Sequence, residues 1–218
     1  MSRARIIAIA FAVLAFAGLW WGFGEYQKRE QQKAITALVA DTGARLREAM
    51  TAPAEGPEAG RKLDEHAAAA DRNLSGLKGM NAARQQAFAD AADDYLLTGR
   101  EILKRFASVQ RYRQLLAESL QALGDHMRAD DHTGAWVQQA VKARERANKD
   151  YRDLGLAAGA LDQLLQSLPA SQKKIAPYVE PAVLVESGVI DAARARVLEA
   201  AKLATAEIEK TRRPDAFR

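Results

Sequence analysis

The clearest hydrophobic pattern in this chain is a seven-residue repeat over residues 82–127. One apolar residue recurs at every seventh position, and a second row, four residues further on, is also mostly apolar. This spacing predicts a long α-helix packed along a seam, as in coiled coils and helical bundles, with Asn81 as its N-cap. At 1.5 Å per residue the helix would be about 70 Å long. The first row is Phe88, Tyr95, Ile102, Val109, Leu116 and Leu123, and the second is Ala92, Gly99, Phe106, Arg113, Leu120 and Met127.

A second seven-residue repeat starts near Trp136 and is predicted to end at Pro169. A short polar turn separates it from the first repeat, so we expect the two helices to lie antiparallel as a hairpin. Proline has no backbone N–H and is expected to stop the second helix. The seam row is Ala140, Ala147, Leu154, Leu161 and Leu168, and the adjoining row is Val137, Arg144, Tyr151, Ala158 and Leu165.

Three shorter amphipathic helices are predicted from spacings of three and four residues, over 25–50, 61–78 and 189–210. Two prolines and two glycines in residues 51–60 separate the first two helices. The four alanines of 67–70 leave room for a neighbouring helix to approach closely. Residues 169–188 contain three prolines and are predicted to form a kinked connector with a short helix at most.

Composition supports an all-α fold. Alanine supplies 46 of the 218 residues and leucine 23, and both are strong helix formers, whereas residues that favour strands are few. The chain contains no cysteine, which excludes disulfides, thiolate metal sites and a lipid-modified cysteine. We therefore predict an elongated antiparallel bundle of four to five helices with a long central hairpin.

One continuous apolar run, residues 6–23, contains no charged side chain. Eighteen helical residues span roughly 27 Å, which is close to the hydrocarbon thickness of a bilayer. Arg3 and Arg5 precede the run, while Trp20 and Trp21 lie at its far end, where aromatic rings favour the membrane interface. This arrangement predicts a transmembrane signal anchor of a bacterial inner membrane.

The predicted topology is single-pass, with a cytoplasmic basic head at 1–5, a periplasmic bundle at 24–210 and a disordered basic tail at 211–218. Lys28, Arg29 and Lys33 follow the apolar run and oppose the basic head in setting this orientation. An alternative is a cleaved signal peptide, because Ala15, Phe16 and Ala17 form an A-x-A site. Cleavage at Ala17 would release a secreted soluble bundle whose new terminus carries three large aromatic residues.

The turn between the two long helices contains two of the three histidines in the chain. His126 and Asp130 are spaced i and i+4, and His132 follows closely, so these nitrogen and oxygen ligands could form a surface site for a divalent metal. The competing interpretation is a solvated turn in which Asp131 or Thr133 caps the next helix.

Two arginines interrupt the apolar rows of the long helices. Arg113 and Arg144 are candidates for an anion-binding notch inside the bundle, because buried charges need partners. The alternative is that the seam drifts around each helix and both side chains extend to water. His66, beside two acidic residues, is predicted to be exposed.

No catalytic motif is present: there is no Gly-x-Ser-x-Gly, no phosphate-binding glycine loop and no His-Glu-x-x-His. Acidic and basic residues interleave along each helix, with a formal net charge of +4, which argues against nucleic-acid binding. We therefore expect a non-enzymatic envelope interaction or scaffolding factor without a cofactor. It would be anchored through residues 6–23 and bound to a protein partner or a second copy. The alternative is a helical module that binds a small ligand or a metal.

Overall fold

The structure of the chain is a computed structural model. It describes the backbone of residues 3–51, 57–80, 85–129 and 133–212, and the side chains of residues 24–51, 58–80, 85–129 and 133–202. Within these ranges the chain is all-helical, as the sequence predicted, and contains no strand. The elements are α1 (Arg3–Thr51), α2 (Pro57–Lys78), α3 (Gln86–Arg128), α4 (Gly134–Ile175), a 3-10 turn (Pro181–Val183) and α5 (Ser187–Arg212).

Helices α3 and α4 form the predicted antiparallel hairpin. The Thr98 and Ser171 hydroxyls lie 3.0 Å apart, and the Ser119 hydroxyl donates to the buried Asp150 carboxylate. Thr98 and Ser119 are three heptads apart in α3, and their partners Ser171 and Asp150 are three heptads apart in α4, in the opposite direction. This register is expected for two antiparallel helices that share a seven-residue repeat. The seam row of α3 is buried from Phe88 to Leu116.

The other helices surround one end of this hairpin. Each helix contacts the next one along the chain, α5 returns to contact α1, and α1 also contacts α3. Ion pairs join neighbours: Lys104 with Asp71 at 3.0 Å between α3 and α2, and Arg194 with Asp162 at 2.9 Å between α5 and α4. Arg196 of α5 donates to the carbonyl of Met50 at the end of α1.

The covering helices do not extend along the whole hairpin. Helix α1 ends at Thr51, and α2 begins one turn before Gly60, which lies against Gln110 and Gln114 of α3. We call residues 117–129 and 133–152 the hairpin tip, and the rest of the described bundle the base. The largest fully buried side chains, among them Tyr95, all belong to the base.

Two predicted helix boundaries were wrong. Pro169 does not end α4, which continues to Ile175. Proline removes one hydrogen bond, but Ser171, Gln172 and Ile175 are all buried in the following turns, and the Gln172 amide donates to the carbonyl of Val185 at 3.0 Å. This packing retains the helix beyond the proline, and the connector is correspondingly shorter.

Helix α3 begins at Gln86 rather than at residue 82. Gln85, in the N-cap position, has a φ of −132° and a ψ of 33°, outside the helical range, and its side chain makes no cap hydrogen bond. The predicted cap, Asn81, lies outside the described residues.

The predicted membrane interface falls on four residues near the N-terminus. Arg3, Arg5, Trp20 and Trp21 lie outside the residues whose side chains are described. Among the residues whose side chains the structure describes, no helix is both long enough and apolar enough to cross a membrane.

Candidate functional site at the hairpin tip

The second apolar row of α3 changes from buried to exposed along its length. Ala92 and Gly99 are buried, and a Cβ atom at Gly99 would lie 2.9 Å from a methyl group of Thr42, so this row faces α1. Further along the same row, beyond the end of α1, Leu120 is 39% exposed and Met127 48% exposed. The row stays apolar after the helix that covers it has ended.

The adjoining row of α4 behaves in the same way. Leu165 and Ala158 are fully buried, and Asp162, one turn from each of them, pairs with Arg194 of α5. Towards the hairpin tip Tyr151 is only half-buried, and Val137 is 49% exposed. This row is therefore covered on the side of α5 at the base and open at the tip.

The two open rows lie on the same side of the hairpin. Leu120 follows the buried Ser119, and Val137 follows Trp136, so each is about 100° past the line of contact between α3 and α4. Because antiparallel helices turn in opposite senses when viewed along one axis, both displacements point to the same side. The result is an open apolar groove, lined by Leu120, Met127 and Val137.

The turn at the end of the hairpin is held by a pair of aromatic rings. His126 and Trp136 are stacked with their centroids 5.2 Å apart. Trp136 Nε1 donates to the carbonyl of His126 at 3.0 Å, and His126 Nε2 donates to the carbonyl of Trp136 at 2.8 Å. Thr133 caps α4 by accepting a hydrogen bond from the backbone N–H of Trp136 at 3.2 Å. These contacts fix the relative position of the two helices at the tip.

This arrangement occupies one of the two ring nitrogens of His126, a proposed metal ligand. The Nε2 atom of His126 bears the hydrogen that it donates to a carbonyl, so this nitrogen is not free to bind a metal. Asp130 and His132 lie outside the described residues. Among the residues that the structure describes, no three His, Cys, Asp or Glu side chains are grouped as a metal site would require.

The two arginines are half-buried and occupy separate levels of the groove. The register of the hairpin places Arg113 level with Leu156 and Arg144 level with Asp125. That separation is about 12 residues in α4, or about 18 Å along the helix. The structure therefore places one arginine at the entrance to the open groove and the other within it, rather than together in a single notch.

A polar cluster that the sequence did not reveal lies between α1 and α2 in the base. His66 is 6% exposed, so the prediction that it is exposed was wrong. Its Nδ1 lies 3.3 Å from Nη1 of Arg45, and its Nε2 lies 3.3 Å from Oε2 of Glu48. Asp41 accepts hydrogen bonds from Arg45 at 2.8 Å and from Asn73 at 2.7 Å.

The electrostatics of this cluster follow from burial and from these contacts. Burial lowers the pKa of His66, and the field of Glu48 partly opposes that shift, while Arg45 and Lys62 add to it. The hydrogen bond from Arg45 holds the pKa of Asp41 below its usual value. The charged groups lie against one another across the two helices, so we interpret the cluster as a polar contact that fixes α2 against α1.

A signal for the burial of His66 was present in the sequence. Residue 66 lies three positions after Leu63 and four before Ala70, both of which belong to the apolar face of α2. The neighbouring Asp64 and Glu65 are both exposed on that helix, so helical spacing is a better guide to the burial of residue 66 than its acidic neighbours are.

Comparisons of the chain with models of known protein families, with curated proteins and with solved structures find no match. The class of protein is therefore defined by the fold alone: the described residues form an all-α bundle of five helices with a long hairpin.

Proposed function

We propose that this protein is a membrane-anchored, non-enzymatic interaction factor of the bacterial envelope, which holds the hairpin tip away from the inner membrane. The observation that carries the proposal is the continuity of α1, which runs as one helix from Arg3 to Thr51. Its first part contains the apolar run of residues 6–23, and its last part packs into the base. An anchor in the first part would be joined to the base without a flexible linker.

The direction of the hairpin supports the same proposal. Alternation of the helices makes α1 parallel to α3, and Thr42 and Leu46 of α1 lie against Gly99 of α3. The helical segment from Gly24 to Thr42 and the segment from Gly99 to Met127 therefore add along one direction, to about 70 Å at 1.5 Å per residue. A bilayer around residues 6–23 would leave the groove near the far end of the molecule.

Two reporters test the topology of the full chain in cells. A periplasm-active enzyme such as alkaline phosphatase and a cytoplasm-active fluorescent protein are each fused after Arg218, and an epitope tag precedes Met1. We expect phosphatase activity, no fluorescence, and a tagged protein that remains in the membrane pellet after an alkaline wash.

Two outcomes contradict the proposal in different ways. Loss of the N-terminal tag together with release into the periplasm would establish the cleaved, secreted form. Fluorescence without phosphatase activity would place the bundle in the cytoplasm. A charged variant within the apolar run, Leu14→Arg, is the matched control, and we expect it to lose membrane retention.

A further inference from the structure

We infer that the outer face of α1, just beyond the apolar run, binds the phosphate of an anionic phospholipid headgroup. The inference rests on the proposed function, because it names a ligand for the membrane-proximal part of the anchored chain. It is carried by a cavity on this face, whose polar lining consists of two cations, an amide and a hydroxyl.

The cavity has a volume of about 470 Å³ and lies along one side of α1. Its described lining residues recur at spacings of three and four, which places them on a single face of the helix. Ile35 and Val39 lie on a different side of the helix and are fully buried in the base, so the lined face points away from the core. The described lining residues are Arg29, Gln32, Lys33, Thr36, Ala37 and Ala40.

The chemistry of the lining favours an oxyanion. The guanidinium of Arg29 presents a planar set of donors that matches a phosphate, and Lys33 adds a second positive charge. The amide of Gln32 and the hydroxyl of Thr36 are further donors. None of the six described lining residues is acidic, so an anion finds donors there whereas a cation finds no carboxylate.

Arg29 carries the charge argument. Lys33 already pairs with Glu30 at 3.1 Å, so its charge is partly balanced within the chain. Arg29 is exposed, and among the residues that the structure describes it makes no ion pair or hydrogen bond. Binding of an anion therefore requires Arg29 to give up no contact.

The distance of the cavity from the proposed anchor fits a lipid headgroup. Arg29 lies six residues after residue 23, the last of the apolar run, which is about 9 Å of helix, and Lys33 lies at about 15 Å. Helical side chains lean towards the N-terminus, so both long side chains extend back towards the bilayer. The headgroup layer is about 5–7 Å thick, so Arg29 reaches into it and Lys33 reaches its outer edge.

A lipid ligand also gives a role to basic residues on this side of the anchor. Lys28, Arg29 and Lys33 lie on the periplasmic side in the proposed topology, whereas basic residues beside a single span usually favour the cytoplasm. Lys28 is adjacent to Arg29 in sequence but about 100° away around the helix, and it does not line the cavity. The two residues therefore separate a defined site from a general attraction to charge.

Native mass spectrometry of the full chain tests for this site. The chain is purified in detergent micelles doped with equal amounts of phosphatidylglycerol and phosphatidylcholine, and the fraction that retains each lipid is measured. Arg29→Gln removes the cation of the cavity. Lys28→Gln is the matched control, because it removes the same charge at nearly the same height but outside the cavity, and both positions are exposed.

We expect the unaltered chain and Lys28→Gln to retain phosphatidylglycerol in preference to phosphatidylcholine. Arg29→Gln should weaken that retention about tenfold, because it removes charge-assisted hydrogen bonds to the phosphate. Equal losses in the two variants would overturn the inference, because they would show attraction to net charge alone. Full retention by Arg29→Gln, or equal retention of both lipids by the unaltered chain, would also overturn it.

A second measurement separates a lipid from a free anion as the source of the phosphate. Backbone amide resonances of the full chain in phosphatidylcholine nanodiscs are followed by NMR while phosphatidylglycerol or inorganic phosphate is added. We expect phosphatidylglycerol to shift residues 29–36 and to leave α2 unchanged, and inorganic phosphate at the same concentration to shift neither. Matching shifts with inorganic phosphate would make free phosphate the ligand and overturn the assignment to a lipid.

Failure of this inference is distinguishable from failure of the proposed function. The topology reporters and the alkaline wash do not depend on Arg29, so Arg29→Gln should remain in the membrane pellet. A chain that stays in the pellet but shows no lipid preference would refute the site and leave the anchor in place. A chain released from the membrane would refute the anchored topology itself.

Discussion

The base and the hairpin tip are built from the same two repeats, yet they differ in what covers them. In the base, Leu165 of the α4 row is fully buried, and in the tip Val137 of the same row is 49% exposed. The residue types are similar and the spacing is identical. The difference comes from the ends of α1 and α2, which lie partway along the hairpin.

This contrast teaches that a heptad pattern reports which faces of a helix are apolar, but not which neighbour covers them. Two helices that share a seam contact each other through the a and d rows, and an apolar stripe wider than these rows indicates a third helix. At the base the third helix is part of the chain. At the tip it is not found among the described residues.

The largest expected effect is the loss of stability when a buried leucine of the base, rather than an exposed leucine of the tip, is truncated to alanine. Leu165→Ala should lower the free energy of unfolding by about 2–5 kcal/mol, because it creates a cavity at a fully buried site. Leu120→Ala, in the equivalent row of α3 but 39% exposed, should cost less than about 1 kcal/mol. Urea unfolding of the full chain measures both, and equal losses would contradict the division into base and tip.

A pair of glycines should give effects of opposite sign. A Cβ atom at Gly43 would collide with the backbone carbonyl of Val183, so Gly43→Ala should cost about 1–3 kcal/mol through overpacking. Gly124, at the tip, has nothing within 4 Å of such an atom, and Gly124→Ala should gain up to about 1 kcal/mol from helix propensity. Thermal unfolding distinguishes the two. A stabilising Gly43→Ala would show that the 3-10 turn can move away.

A smaller effect should appear in the pH dependence of the base. Burial lowers the pKa of His66 below its value of 6.5 in the unfolded chain, so the unfolded state takes up the proton first. The associated stability is fully present above pH 6.5 and is lost as the pH falls through the folded pKa. We expect the free energy of unfolding to fall between pH 7.5 and pH 5.5.

The variant His66→Gln, which keeps an acceptor for Arg45, should reduce that slope. The carboxylates of Asp41 and Glu48 contribute only at lower pH, because their pKa values are held below 3.8 and 4.5. An unchanged slope in His66→Gln would assign the dependence to another group, and the matched variant His126→Gln shows whether that group lies at the tip.

The smallest effect should be confined to the tip. Trp136→Phe retains a ring to stack on His126 but removes the hydrogen bond from Nε1 to the His126 carbonyl, at a cost of about 0.5–1.5 kcal/mol. Hydrogen exchange should accelerate around residues 120–140 and stay unchanged around residues 88–110. Acceleration throughout α3 would mean that the tip and base open together.

Much of the fold was predictable because the repeats are long. The hairpin, its antiparallel order and the seam from Phe88 to Leu116 all follow from spacing that single residues cannot obscure. The continuation of α4 through Pro169 was not predictable, because it depends on Gln172 and Ile175 packing against segments distant in sequence. Local propensity was outweighed there by tertiary contacts.

The candidate site was only partly predictable. Leu120 and Met127 were recognised as members of an apolar row, but their exposure depends on where α1 and α2 end. The role of His126 in holding the turn was missed, since it depends on stacking with Trp136 across the hairpin. Sequence spacing identifies rows, whereas the length of the neighbouring helices decides which part of each row remains open.

The hydroxyl pairs of the hairpin have a consequence for how the chain reaches a single native state. A seven-residue repeat allows two helices to slide past each other by one heptad and still match apolar rows. In either slipped alignment Ser119 would face an alanine, Ala143 or Ala157, and a buried hydroxyl without a partner costs roughly 1–3 kcal/mol. Thr98 would likewise lose Ser171 and meet Leu164 or Tyr178. These two pairs, three heptads apart, stabilise one alignment of α3 and α4 among several that would all match apolar rows.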